Sequence, residues 1–183
     1  MTGLVAPVRR LHIGGNEARN GWEIFDALRG PHVDHVGEAA DLSRFAEGTF
    51  TAVYASHVLE HFDYKDEIIG VLREWRRVLR PGGSLYVSVP DLESLCRLYI
   101  APGLQPPDRL EIMRWIFGGH MDDYDYHLAG LDENYLGYCL QMAGFVSLLR
   151  VGSFNLFADS SEAVVLGTAV SLNMVARRPG QDP

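Results

Sequence analysis

The chain has 183 residues, 47% of them hydrophobic and 22% charged. That is the profile of one globular domain, which at this length buries roughly 70% of the surface its unfolded form exposes. The 24 acidic residues outweigh 16 basic ones for a net charge of −8, and no basic run exceeds a pair such as Arg76-Arg77; a concentrated phosphate-binding face is excluded, and nucleic acid is not an expected partner.

No apolar run reaches the ~18 residues of a membrane span, and the first residues lack a signal-peptide core. The expectation is a cytoplasmic protein with no membrane partner. Cys96 and Cys139 have no C-x-x-C spacing and read as reduced, buried thiols.

In chain order, a β-type stretch over 8–13 runs into Gly14-Gly15-Asn16, a turn that small residues make easily. Further β-type runs cover 22–26, 32–36 and 50–55. From 63 to 80 the period changes: Ile68, Val71, Leu72, Trp75, Val78 and Leu79 recur at three- and four-residue steps and form one helical stripe. Asp63 is the expected N-cap, Arg76, Arg77 and Arg80 suit the negative end, and Pro81-Gly82-Gly83 stops the helix without needing a phosphate to explain it. The run 85–89 is apolar on both faces, as a central parallel strand requires.

Beyond Pro90 a helix through Ser94, Cys96 and Tyr99 precedes a proline-rich loop and a helical segment over 109–117. Trp75 and Trp115 lie on helical stripes and read as core. Residues 118–130 are polar and aromatic without periodicity. A helix over 132–143 and strands over 145–151 and 168–176 complete the domain, and a disordered tail is expected from 179.

Strands alternating with helices, parallel until the final pair, predict a Rossmann-like, doubly wound α/β sheet of seven strands with an antiparallel C-terminal strand pair, in a single domain over 1–178. Ligands in such sheets sit at the carboxyl ends of the strands, beside the switch point in strand order. Gly14-Gly15, Asp26, Glu38-Ala39 and Ser56-His57 all follow strands.

His57-Val-Leu-Glu60-His61 spells H-x-x-E-H. On a helix this spacing would set two imidazoles on one face, as in one class of zinc peptidases. Here it follows a strand by two residues, where a cofactor or substrate contact belongs, so no metal is assigned and a zinc hydrolase is the weaker alternative. His120, Asp122, Asp123, Asp125 and His127 leave three readings open for 118–130: a solvated loop, a lid walled by Tyr124 and Tyr126, or a metal site.

The ordered set LHIGG, GWEIFD, VGEAADL, SHVLEH, VLRPGG and VPD, with a closing AGF and SLNMVARR, resembles the class I S-adenosylmethionine-dependent methyltransferases. The stretch IFGGHMDDYDYHLAGLDENYL is similar to a segment of bacterial methyltransferases associated with sugars or secondary metabolites. The resemblance implies S-adenosyl-L-methionine as cofactor and S-adenosyl-L-homocysteine as product. It implies cofactor contacts at Gly14, Gly15 and Asn16 for the methionine and ribose, Asp26 for both ribose hydroxyls, Glu38 and the Ala39 amide for adenine, and Ser56 and His57 at the methionine end.

It further implies His57, Glu60 and His61 as catalytic candidates, and an acceptor pocket under a 100–131 insertion carrying His120, Tyr124, Tyr126 and His127. The short link from Gly15 to Trp22 departs from the family pattern, so the first helix is expected to shrink to about a turn. The reading is methyl transfer to a small molecule or sugar, with an oxygen acceptor expected because histidines line the pocket. A cofactor-binding module without catalysis is the main alternative, and a second copy of the chain completing the pocket stays open.

Overall fold

A computed structural model describes residues 8–180. The strands are β1 (Arg10–Ile13), β2 (Glu23–Asp26), β3 (His35–Val36), β4 (Phe50–Ser56), β5 (Leu79–Pro90), β6 (Val146–Val151), β7 (Val164–Val165), β8 (Thr168–Ala169) and β9 (Ser171–Arg177). The helices are α1 (Ile68–Val78), α2 (Leu92–Tyr99), α3 (Pro106–Phe117) and α4 (Glu133–Met142), with 3-10 turns at Leu59–His61 and Ser160–Glu162. Among the described residues no helix is long and apolar enough to cross a membrane.

Seven strands form one sheet in the order β3-β2-β1-β4-β5-β9-β6. Pairing is parallel from β3 to β5, and β9 runs antiparallel to both β5 and β6. The expected sheet is therefore present, with its switch point between β1 and β4. One face carries Leu11, Ile13, Val53, Leu85, Val87, Leu172 and Met174 against α1 and α4 in a continuous apolar core. Trp75 lies at its centre, fully buried, and donates from Nε1 to the Ala39 carbonyl at 2.8 Å.

The opposite face differs in kind. Residues 14–22, 27–34 and 37–49 form turns without a helix, so the reduction expected after β1 is complete and extends to the next two connections. Phe154, Leu156 and Phe157, from the segment between β6 and β7, instead pack over Trp22, Ala52, Tyr54 and Tyr86.

Three boundaries depart from the sequence reading. Helix α1 begins at Ile68 because the Asp63 carboxylate accepts the Lys65 N–H at 2.7 Å, making a turn ahead of the helix. Helix α3 starts three residues early because Pro106 and Pro107 occupy its first positions, where a missing N–H costs nothing, behind a Gln105–Asp108 capping box. The last strand is interrupted at Val170: Leu166 and Gly167, both at positive φ, turn Thr168–Ala169 back onto β7 as a tight hairpin, and the sheet strand β9 starts only at Ser171. Cys139 is buried as expected, whereas Cys96 is exposed on α2; position 96 falls on the outward side of that helix, whose inward position is Leu95. The expected tail lies, for 181–183, outside the described residues.

Candidate cofactor and acceptor site

A cavity of about 240 Å³, open on one side, lies at the carboxyl ends of β1 to β4. Its walls are Ile13-Gly14, residues 25–28, Gly37-Glu38-Ala39, His57-Val58, His61-Phe62 and Tyr124. Gly14 has φ +72°, and an added Cβ would stand 2.5 Å from Val58 Cγ2, so both backbone conformation and space require glycine there. Asp26 ends β2, and its Oδ1 accepts the Leu28 N–H at 2.7 Å. Glu38 Oε1 accepts the Tyr124 hydroxyl at 3.2 Å, and the charge of Glu38 pushes that hydroxyl's pKa up.

Five of the sequence-derived cofactor residues, Gly14, Asp26, Glu38, Ala39 and His57, line this cavity. Gly15, Asn16 and Ser56 do not. Gly15 is held against the His12 ring, 2.6 Å from where its Cβ would be; Asn16 is exposed on the following turn. Ser56 donates to Asp159 Oδ1 at 3.2 Å on the aromatic-covered side of the sheet. The walls also include Phe25, Leu28, Val58 and Phe62, which sequence reasoning passed over although each lies within two residues of a named candidate or motif.

His57 has φ +54°, uncommon for a side chain of its size, and its N–H donates to the Ser88 carbonyl at 2.9 Å. Ser171 gives its only hydroxyl proton to the Ser160 carbonyl at 2.6 Å, so His57 Nε2, 3.0 Å away, must be the donor to Ser171 Oγ. His57 Nδ1 then faces Glu60 Oε1 at 3.3 Å, off hydrogen-bond alignment. That contact is attractive only when Nδ1 is protonated too, as an imidazolium beside a carboxylate.

Glu60 is 1% exposed, inside a group of His57, His61 and His127. Burial pushes its carboxyl up, and the three imidazoles together outweigh burial and hold it below the ordinary carboxylate range. His127 is pushed down chiefly by burial, against the pull of Glu60. Its Nδ1 meets the Trp115 carbonyl at 3.1 Å, and His61 Nδ1 meets the Tyr126 carbonyl at 3.0 Å.

The 118–130 segment folds back on itself: His120 N–H bonds the Asp125 carbonyl, and the His120 and Tyr126 rings stack at 4.1 Å on the surface. Of the four acceptor candidates Tyr124 reaches the cavity and His127 turns inward to Glu60, while His120 and Tyr126 pair with each other. HVLEH itself is a strand end and a 3-10 turn, so the helical face that would align His57 with His61 is not formed.

Residues 23–87, running from β2 into β5, match the family model described as "Methyltransferase domain". The fold is that of the Rossmann-like methyltransferases. A search of curated proteins finds no match. Among solved structures, a 1,6-didemethyltoxoflavin-N1-methyltransferase from Burkholderia thailandensis, with bound 1,6-didemethyltoxoflavin and S-adenosylhomocysteine, superimposes with a TM-score of 0.60 at 18% identity over 94% of this chain and 72% of that one.

A SAM-dependent methyltransferase from Archaeoglobus fulgidus gives 0.57 at 14% identity over 94% and 86%. The CurJ carbon methyltransferase gives 0.57 at 15% over 97% and 50%. The chain spans 64% of a similar Bordetella parapertussis protein and half of the CurJ one. The likeness to solved structures establishes the fold, and the stretch similar to the methyltransferase-domain model contains Asp26, Glu38, His57, Glu60 and His61.

Proposed function

We propose that this chain transfers a methyl group from S-adenosyl-L-methionine to a small-molecule or sugar acceptor, at an oxygen. The observation that carries the reading is the alignment of Gly14, Asp26 and Glu38 at three successive strand ends around one cavity. Gly14 lines the cavity with backbone alone, at a positive φ and with no room for a Cβ beside Val58. Asp26, with one oxygen tied to the Leu28 N–H, is oriented to accept ribose hydroxyls on the other. Glu38 and Ala39 stand where the adenine would lie. Leu28 and Tyr124, both exposed at the mouth, would cover a nucleoside that extends beyond the enclosed volume.

The cofactor supplies an activated sulfonium methyl, and the chain's task is alignment of the acceptor for in-line displacement, with proton removal as a further part. His61 suits that removal: its Nδ1–H is committed to the Tyr126 carbonyl, which leaves a lone pair on Nε2 of the neutral ring. His57, with Nε2 committed to Ser171 and Nδ1 turned towards the buried Glu60, orients rather than accepts, and Glu60 acts through the histidines. Structural neighbours include carbon and nitrogen methyltransferases, so the oxygen preference rests on the imidazoles alone.

One observation favours a binding module without turnover: His57 Nε2 is already committed to Ser171 within the chain. Calorimetric titration with S-adenosylhomocysteine tests the cofactor site. Micromolar binding, weakened at least tenfold in Asp26→Ala, is expected; no binding, or equal binding by the variant, refutes the assignment. Binding without turnover on any acceptor supports the module.

A further inference from the structure

We propose that Glu60, His61 and His127 form a site for one divalent transition-metal ion of the zinc class, shared between the turn after β4 and the 118–130 segment. One ligand atom from each residue lies within 4.8 Å of the other two. Both oxygens of the buried Glu60 carboxylate lack a hydrogen-bond partner, and a buried carboxylate is costly unless something else completes its shell. A cation between the three residues would do so.

The histidines are prepared for that role. A carbonyl can only accept, so His61 Nδ1 and His127 Nδ1 must carry the protons they share with Tyr126 and Trp115. Each neutral ring then presents Nε2 as a lone pair, and His127 Nε2 already lies 4.0 Å from Glu60 Oε1. Carbonyls fixing the far nitrogen are the outer-shell arrangement by which metal-binding histidines are oriented. The two chain segments are also clamped by backbone: the Glu60 carbonyl accepts Leu128 N–H at 2.8 Å and Ala129 N–H at 3.1 Å.

Two imidazoles and one carboxylate favour zinc-like ions over magnesium or calcium, which prefer all-oxygen shells. Ligand bonds of about 2.0–2.1 Å put tetrahedral ligand atoms roughly 3.4 Å apart, so the widest separation must close by about 1.4 Å, within reach of side-chain rotation. Three protein ligands leave one position open, and His61 and His57 both border the cavity. The site itself is independent of the methyl-transfer reading; only the further consequence, that the open position would hold an acceptor oxygen in place of His61 as base, rests on it.

The whole chain, stripped with chelator, is titrated with zinc sulfate by calorimetry, and the zinc-to-protein ratio is measured after gel filtration. The expected result is one equivalent bound at micromolar Kd or tighter, weakened at least tenfold in His127→Ala and in Glu60→Gln but unchanged in His32→Ala, an exposed histidine elsewhere. Cobalt(II) added to the unaltered protein keeps the test independent of variant folding: visible d–d bands of a four-coordinate ion are expected. Absence of those bands, sub-stoichiometric zinc, or equal affinity in folded His127→Ala overturns the proposal. Since S-adenosylhomocysteine binding is read separately, either assignment can fail without the other.

Discussion

Burial holds the His12 imidazole far below its ordinary pKa, and acid stability should report it. Its ring, 4% exposed, sits 4.8 Å from Tyr54 and 4.1 Å from Phe157 between centroids, with Nδ1 unpartnered. Burial lowers its pKa from 6.5 to about 4, against a weaker upward pull from Asp159. A depressed histidine binds its proton in the unfolded chain first, so stability falls as pH drops from 6.5 towards 4 and levels off below. At pH 4 the loss from this group alone comes to about 3 kcal/mol, at 1.36 kcal/mol per unit. His12→Phe keeps a ring against Gly15 and removes the titration. Urea unfolding of both proteins between pH 7.5 and 4 should therefore show their stability difference changing by about 3 kcal/mol in the variant's favour on acidification. Parallel pH profiles would refute the burial argument, because other acid-sensitive groups cancel in the difference.

Gly14→Ala places a methyl against Val58 at a positive φ; it should cost about 1–2 kcal/mol from the backbone alone and more from the clash. Adding Val58→Ala should recover only the clash part, measured by thermal melting. Arg150 binds Asp91 Oδ2 and Glu133 Oε2, each at 2.9 Å, with Asp91 nearly fully buried at the N-cap of α2. Arg150→Ala should destabilise by about 2 kcal/mol in denaturant titration, a value reduced from the full penalty of an orphaned buried charge because Ser94 still bonds Asp91. Tyr124→Phe removes the bond to Glu38 at an exposed site; melting should shift negligibly, while S-adenosylhomocysteine affinity falls a few-fold if the ring covers the nucleoside.

Asp26 and Glu38 could be found from sequence because the strand-end rule needs only the positions of strands: β2 closes on Asp26, and Glu38 follows β3 by two residues. Ser56 shows the limit of that rule. Side chains alternate along a strand, so Ser56 points with Tyr54 to the face covered by Phe154 and Phe157, away from the cavity. The inward turn of His127 could not be read at all: it depends on the 118–130 fold, where Gly118 and Gly119 pack tightly on Asp125. Ser171, which decides the His57 tautomer, comes from β9, 114 residues along the chain.

The missing crossover helices follow from strand length. A parallel connection must return along the strand it leaves, and β1 is only four residues long, about 13 Å at the usual rise. The nine residues of 14–22 can span roughly 30 Å when extended, so a bare turn suffices, and the same holds for the short β2 and β3. Seven-residue β4 is followed by α1, where the return path is longest. Without helices the second face still has to exclude water, and its polar side chains set what can cover it. Tyr54 donates to Asp159 at 2.8 Å, Ser161 lies within reach of the same hydroxyl, and Asn173 donates to the Ser161 carbonyl at 2.9 Å. The covering segment is thus held by hydrogen bonds as well as by its phenylalanines. Because it joins β6 to the strands that carry Ser171, the element sealing the sheet also sets the proton on His57 at the cavity wall.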